Sequence, residues 1–318
     1  MPQFEKIFRI ILKNSLRTKP QESLLIIAEE SLSDLGEVFW NCAKKITKYS
    51  VLIKFSYKYL NDHGLPTPIY NSLIYADSVI VLTPKIVIET LFDEARQNGT
   101  RIILLKNISK ELMERSLETN YNLLANISRR LADIFTIGKT IHLTSPSGTD
   151  AKVNISSIKG FAETGLAFRA GDFTCLPAGE ARVFLNKKNN IEGLIVLDRI
   201  TGHKKPFSKP IMLKVHQGYI SQIRGDKDAE QLRKDIRIFG KSGRKINELG
   251  VGTNENVALG NSALEDEKVS GTVHIALGQN QITKIHGKIT QSIKGMILNP
   301  TLTIDGKLII EDGKILVG

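Results

Sequence analysis

Cysteine and tryptophan are almost missing from this chain. Its 318 residues include two cysteines and one tryptophan. Cys42 and Cys175 lie far apart and form no CxxC pair. That excludes a disulfide framework and a cysteine-rich zinc site, and it predicts free thiols in a cytoplasmic protein. No apolar run reaches the roughly 18 residues a membrane span needs, so no membrane partner is expected. The opening MPQFEKIFRIILKNSLRTK breaks its apolar residues with charges and lacks a small-residue cleavage site. It reads as an amphipathic helix, not a signal peptide. There is no GxGxxG and no Walker loop, hence no nucleotide fingerprint. Internal repeats and low-complexity tracts are absent.

Lysine and arginine outnumber aspartate and glutamate, 44 to 33, for a formal net charge of +11. Such an excess can attract anions. Here the basic residues are scattered over expected helix faces and hairpins. KSGRK, at 241–245, is the nearest thing to a patch, and it is short. Without aromatics interleaved among the cations, no dedicated nucleic-acid interface is expected.

What is present fits two domains, at about 150 residues each. Phe4, Ile7, Phe8, Ile11 and Leu12 repeat at helical spacing. SLLIIAE, SVLIKFS, SVIVLTP and RIILLK are near-continuous apolar runs separated by helical stretches. This alternation predicts an α/β N-terminal domain with a parallel, Rossmann- or flavodoxin-like sheet over residues 1–140. The sole tryptophan, Trp40, sits in one of those helices and is expected to pack. Beyond TIHLTSPSGTD the pattern changes. Short strands of period two, such as AKVNIS, GLIVLDRI and PIMLKVHQ, alternate with turn pairs. VHQGYISQI and LTIDGKLIIEDGKIL read as hairpins. Residues 141–318 are therefore expected to form a β-rich α+β domain carrying the functional site.

The segment from Ile246 to Gly278 concentrates the chemistry. It holds Glu248 among glycines, the acidic run Glu265, Asp266 and Glu267, and His274 in GTVHIALG. Carboxylates and an imidazole are ligands for divalent metals. Each has a plainer reading beside it. A lone histidine in an apolar strand can be a bonded core residue. Glu180, after Pro-Ala-Gly, and Glu248 can sit on turns. The acidic run reads as a solvated face, with Glu267 and Lys268 a weak surface pair. His142 and His216 lie on expected strands without an acidic neighbour and read as structural. Cys175 would need an activating base to act as a nucleophile, and the sequence identifies none.

In order, GTD at 148–150, DFTCLPAGEARVFL, INELGVGTN, LEDEKVSGTVHIALG and NPTLTIDGKLIIEDGKIL resemble the aminopeptidase T-like family of metallopeptidases. The related 2,5-dihydroxypyridine dioxygenase group shares the C-terminal pattern. The resemblance implies that Glu180, Glu248 and His274 are metal ligands, with Glu180 and Glu248 the candidate catalytic carboxylates. It implies a divalent metal (zinc, cobalt, manganese or iron) if the site is retained, a peptide or small-molecule ligand, and a homodimer. The family completes the site with an H-x-D pair. Counting back from Pro300, those positions here are Ser292 and Lys294. A His-Thr of the family's N-terminal domain appears as Glu89-Thr90. His286, in KIHGK, lies close in sequence but off the motif.

Three functions follow as expectations. The first is an aminopeptidase-like protein with impaired or lost metal-dependent hydrolysis, acting through its remaining pocket as a binding or pathway-partner protein. The second is an active metal-dependent aminopeptidase. The third is a non-haem iron ring-cleaving enzyme. For the first, the Lys294 ammonium is expected to take the metal's place between Glu180 and Glu248, with Ser292 and Glu267 completing the pocket.

Overall fold

The computed structural model describes residues 2–317 except 57–64, 85–88, 187–188, 279–282, 286–287 and 291. Its contacts divide the chain into two compact units, each built from two pieces of sequence. One comprises Met1–Leu123 with Thr164–Ala178, the other Leu124–Glu163 with Gly179–Gly318.

The first unit is α/β. Leu24–Glu29, Ser78–Leu82 and Arg101–Leu105 are buried almost throughout, as expected of strands covered on both faces. They run parallel, with Ser50–Phe55 beyond Leu24–Glu29 at one edge and Phe173–Cys175 beyond Arg101–Leu105 at the other. That last strand escapes sequence reading because three residues carry no period. The helix Pro2–Ile10 buries Phe4, Ile7 and Phe8. Phe8 stacks on Phe39 of the helix Ser33–Ala43, ring centroids 3.9 Å apart. Trp40 is half-buried, with its indole N–H donated to the Ser50 carbonyl.

The second unit is β-rich and antiparallel. One sheet has eight strands, in the order 219–224, 211–216, 191–197, 150–154, 140–144, 301–304, 307–311 and 314–315. The other has six: Arg199–Ile200, Ile293–Ile297, Val273–Leu277, Ile246–Gly252, Glu180–Phe184 and Gly160–Glu163. The hairpins turn at Gln217-Gly218, Asp305-Gly306 and Asp312-Gly313. All six residues have positive φ, the geometry of a two-residue turn that follows strand twist.

One core joins the two sheets. It takes Ile141, Val153, Ile195 and Leu213 from the larger sheet. From the smaller it takes Ala181, Val183, Leu249, Val251, Val273, Ile275 and Ile297. Those residues alternate along their strands, so their sequence neighbours face the other way. Among the described residues, no helix is long and apolar enough to cross a membrane.

Candidate metal centre on the second sheet

The far face of the six-stranded sheet carries the charged groups. Glu180 and Arg182 flank Ala181 on one strand, and Glu248, Gly250 and Gly252 interleave with Leu249 and Val251 on the next. His274 pairs with Gly250 on one side and Met296 on the other. Ala276 pairs with both Glu248 and Lys294. A β-bulge sets this arrangement. Pairing steps from Ile246 opposite Leu277 to Glu248 opposite Ala276, two residues against one. Ile246 therefore stays in the core while Glu248 turns to the charged face.

Gly250 is the floor. A Cβ there would lie 2.3 Å from His274 Nε2 and 2.9 Å from Glu180 Oε1. The missing side chain is what lets imidazole and carboxylate close over the strand. His274 Nε2 lies 3.0 Å from Glu180 Oε1 and 3.5 Å from Glu248 Oε1. All three residues are buried, and one ligand atom from each lies within 4.8 Å of the others.

Two lysines enter the same cluster. Lys294 Nζ is 2.8 Å from Glu248 Oε1 and 3.0 Å from Glu267 Oε2. Lys268 Nζ bonds Glu180 Oε2 and Glu163 Oε2. Arg182 Nη1 sits 3.2 Å from Glu180 Oε2. The pairs are close, yet Glu180 Oε1, Glu248 Oε1 and both ring nitrogens of His274 lack a well-directed hydrogen bond. Charge, more than angle, holds these groups together.

Protonation follows from the neighbours. Burial would raise the Glu248 pKa, but Lys294 first, then His274 and Arg182, bring it down to about 2. Burial opposes ionisation of Glu180 as well, and Lys268 and Arg182 hold it well below the carboxylate range. Burial disfavours both ammonium groups, yet Glu163 and Glu180 around Lys268, and Glu248 and Glu267 around Lys294, raise their pKa values. For His274, burial and Lys294 push towards the neutral ring, and Glu180 and Glu248 outweigh them.

The triad's spacing could hold one divalent ion through an imidazole nitrogen and two carboxylate oxygens. Its surroundings oppose one. An ammonium stands 2.8 Å from one of the three donor atoms. The set also lacks the second imidazole of a two-histidine, one-carboxylate iron centre. Among the described residues, the donors do not make up the ligand set of a redox centre of that kind or of a paired-metal centre.

Sequence reasoning and structure part in several places. Lys294 pairs with Glu248 and Glu267; the ammonium on Glu180 is that of Lys268. Glu265 and Asp266 are fully buried, not solvated. Asp266 accepts the backbone N–H of Gly202 and Gly260, and Ser262 donates to Glu265. His142 and His216 do have acidic partners, Asp150 at 2.8 Å and Glu192 at 3.0 Å. Ser292 is half-buried just before the Lys294 strand. Cys175 and Glu89 belong to the other unit, the thiol 3.6 Å from the carboxylate. His286 lies outside the described residues. Arg182, Lys268, Glu163 and Gly250 join the cluster without a motif to mark them. Two-residue spacing from Glu180 marks Arg182; Glu163 and Gly250 become visible only through strand pairing, and Lys268, on a turn, only through its bonds to Glu163 and Glu180.

Comparison with known proteins bears on this geometry. The family model of 2,5-dihydroxypyridine 5,6-dioxygenase matches residues 55–317. No curated protein matches. Among solved structures, 2,5-dihydroxypyridine dioxygenase from Pseudomonas putida is similar, at a TM-score of 0.79 and 19% identity, over 100% of this chain and 98% of that one. Wild-type AmpT from Thermus thermophilus is similar at a TM-score of 0.67 and 13% identity, over 99% of each chain. At these identities the structural likeness speaks for the fold.

Proposed function

We propose a metal-independent binding function, on the premise that this chain belongs to the 2,5-dihydroxypyridine 5,6-dioxygenase family. In this reading the charged face binds a peptide or small molecule, and neither metal-dependent peptide hydrolysis nor ring cleavage takes place. The observation that carries it is the Lys294 ammonium, 2.8 Å from Glu248 and 3.0 Å from Glu267. A divalent ion held by Glu248 would stand beside that ammonium, and like charges repel. In the metal-free cluster burial disfavours the Lys294 ammonium, and its carboxylate partners outweigh that. A cytoplasmic setting and a homodimer belong to the same proposal. The buried free thiols support the first and the aminopeptidase T-like sequence pattern the second.

The test is metal analysis of purified protein, followed by calorimetric titration with zinc, cobalt, manganese and ferrous iron. The expected result is less than stoichiometric metal and no tight binding. A stoichiometric ion that survives dialysis would sink the proposal.

A second reading has its own observation. Three donor atoms converge within 4.8 Å, and none has a well-directed hydrogen bond. A retained metal would favour an aminopeptidase-like or dioxygenase-like enzyme. Metal-dependent turnover of amino-acid amides, lost in Glu180→Gln, would establish the hydrolase.

A further inference from the structure

We infer that the exposed end of this sheet face receives an aromatic carboxylate, its ring on Phe161 and Phe184 and its charge between Arg182 and Lys159. The inference rests on the metal-free reading above and names the class of ligand.

The charged face ends at the strand Gly160–Glu163, which pairs on one side with Glu180–Phe184. Register places Phe161 opposite Arg182 and Glu163 opposite Glu180. The Phe161 and Phe184 rings lie 5.3 Å apart at 57°, forming an open angle. Phe161 is 42% exposed, and Phe184 beside it is half-buried. Cations flank the rings. Arg182 lies 5.4 Å from the Phe184 centroid, and Lys159 lies 5.8 Å from that of Phe161. Both are within the range of a cation–π contact.

Charge decides the sign of the ligand. The two charged groups within reach of the rings, Arg182 and Lys159, are both cations. Arg182 is the most exposed of the cluster's cations, at 28% against 2% for Lys268 and 11% for Lys294, and its buried Nε has no partner. A neutral ring would use the phenyl surface alone. A cationic ring would meet Arg182 and Lys159 of like sign. A small inorganic anion would leave the phenyl pair uncovered. A flat apolar ring bearing a carboxylate uses both features.

The test uses phenylacetate as the probe on the full-length protein, by saturation-transfer NMR and calorimetry. Acetate, 2-phenylethanol and phenethylamine are the controls. Phenylacetate is expected to bind, with acetate and 2-phenylethanol each about tenfold weaker and phenethylamine weaker still. Phe161→Ala should weaken phenylacetate about tenfold, and Lys159→Gln about threefold, while Phe161→Tyr retains it. Both positions are exposed and outside the ion-pair cluster, so the variants should fold; a thermal melt verifies it. No binding at about 10 mM phenylacetate overturns the inference. So does equal binding of phenethylamine, or an unchanged affinity in Phe161→Ala. Metal found in the protein would instead overturn the reading of the site, and it is measured separately.

Discussion

The side chains of Lys294 and Glu248 meet across an intervening strand, Nζ to Oε1 at 2.8 Å, above Ala276, which pairs with both residues. The methyl of Ala276 is low enough to let them touch. A larger side chain there would stand between the charges.

That contact makes Lys294→Met costly. Removing one partner of a buried ion pair leaves the other uncompensated, at about 3–5 kcal/mol. Glu248→Gln combined with Lys294→Met should cost less than the sum of the single changes. A double-mutant cycle by urea denaturation measures the coupling. Additive effects would contradict the contact. Ala276→Leu should mimic the loss of coupling while keeping both charges.

Acid stability follows from the same pair. The Glu248 pKa is lowered from 4.5 to about 2 in the folded chain. An unfolded carboxylate binds its proton first as pH falls, so the stabilisation is present in full above about pH 4.5 and is lost between there and about pH 2. A shift of this size corresponds to about 3 kcal/mol. Unfolding free energy measured from pH 6 to pH 2 should fall more steeply in the wild type than in Glu248→Gln. Parallel curves would remove Glu248 from the account.

Gly250→Ala tests the floor of the cluster. The added methyl would sit 2.3 Å from His274 Nε2. The imidazole has to leave its place over the strand, at about 1–3 kcal/mol of overpacking. Melting temperature should drop, and the His274 ring resonances should shift. A variant with unchanged His274 resonances would refute the close approach.

Ser292→His with Lys294→Asp should reverse the charge logic. One donor replaces the ammonium and a second is added. Metal uptake should rise from below stoichiometric to about one ion per chain, read by elemental analysis. Failure to gain metal in a folded variant would mean that the pocket is not otherwise preserved.

Local signals made much of the fold legible. Leu24–Glu29, Ser78–Leu82 and Arg101–Leu105 are visible because strands buried on both faces are continuous runs of valine, isoleucine and leucine. The turn pairs Gln217-Gly218, Asp305-Gly306 and Asp312-Gly313 are visible because they need positive φ. Glu180, Glu248 and His274 were found by motif, and strand pairing does bring them together. Lys268 was not found, because a lysine beside a glutamate looks like a solvated pair. Its burial depends on Glu163, 105 residues away. The burial of Asp266 is hidden for the same reason: its partners are backbone N–H groups of Gly202 and Gly260. Charge compensation in a core is a property of the assembled sheet.

The bulge between Ile246 and Glu248 has a consequence of parity. Upstream of it the even-numbered residue belongs to the core; downstream the odd-numbered ones do. One added residue, Asn247, is what lets two even-numbered residues, Ile246 and Glu248, face opposite ways. Deleting Asn247 would set Ile246 directly before Glu248, and because adjacent strand residues face opposite sides, the bulge would vanish while both residues kept their faces. Deleting one residue beyond the bulge, between Glu248 and Gly252, would instead turn one end of the strand over and exchange oil for charge. Downstream of the bulge an indel of one residue would act like a frameshift in a gene, with the consequence felt in three dimensions.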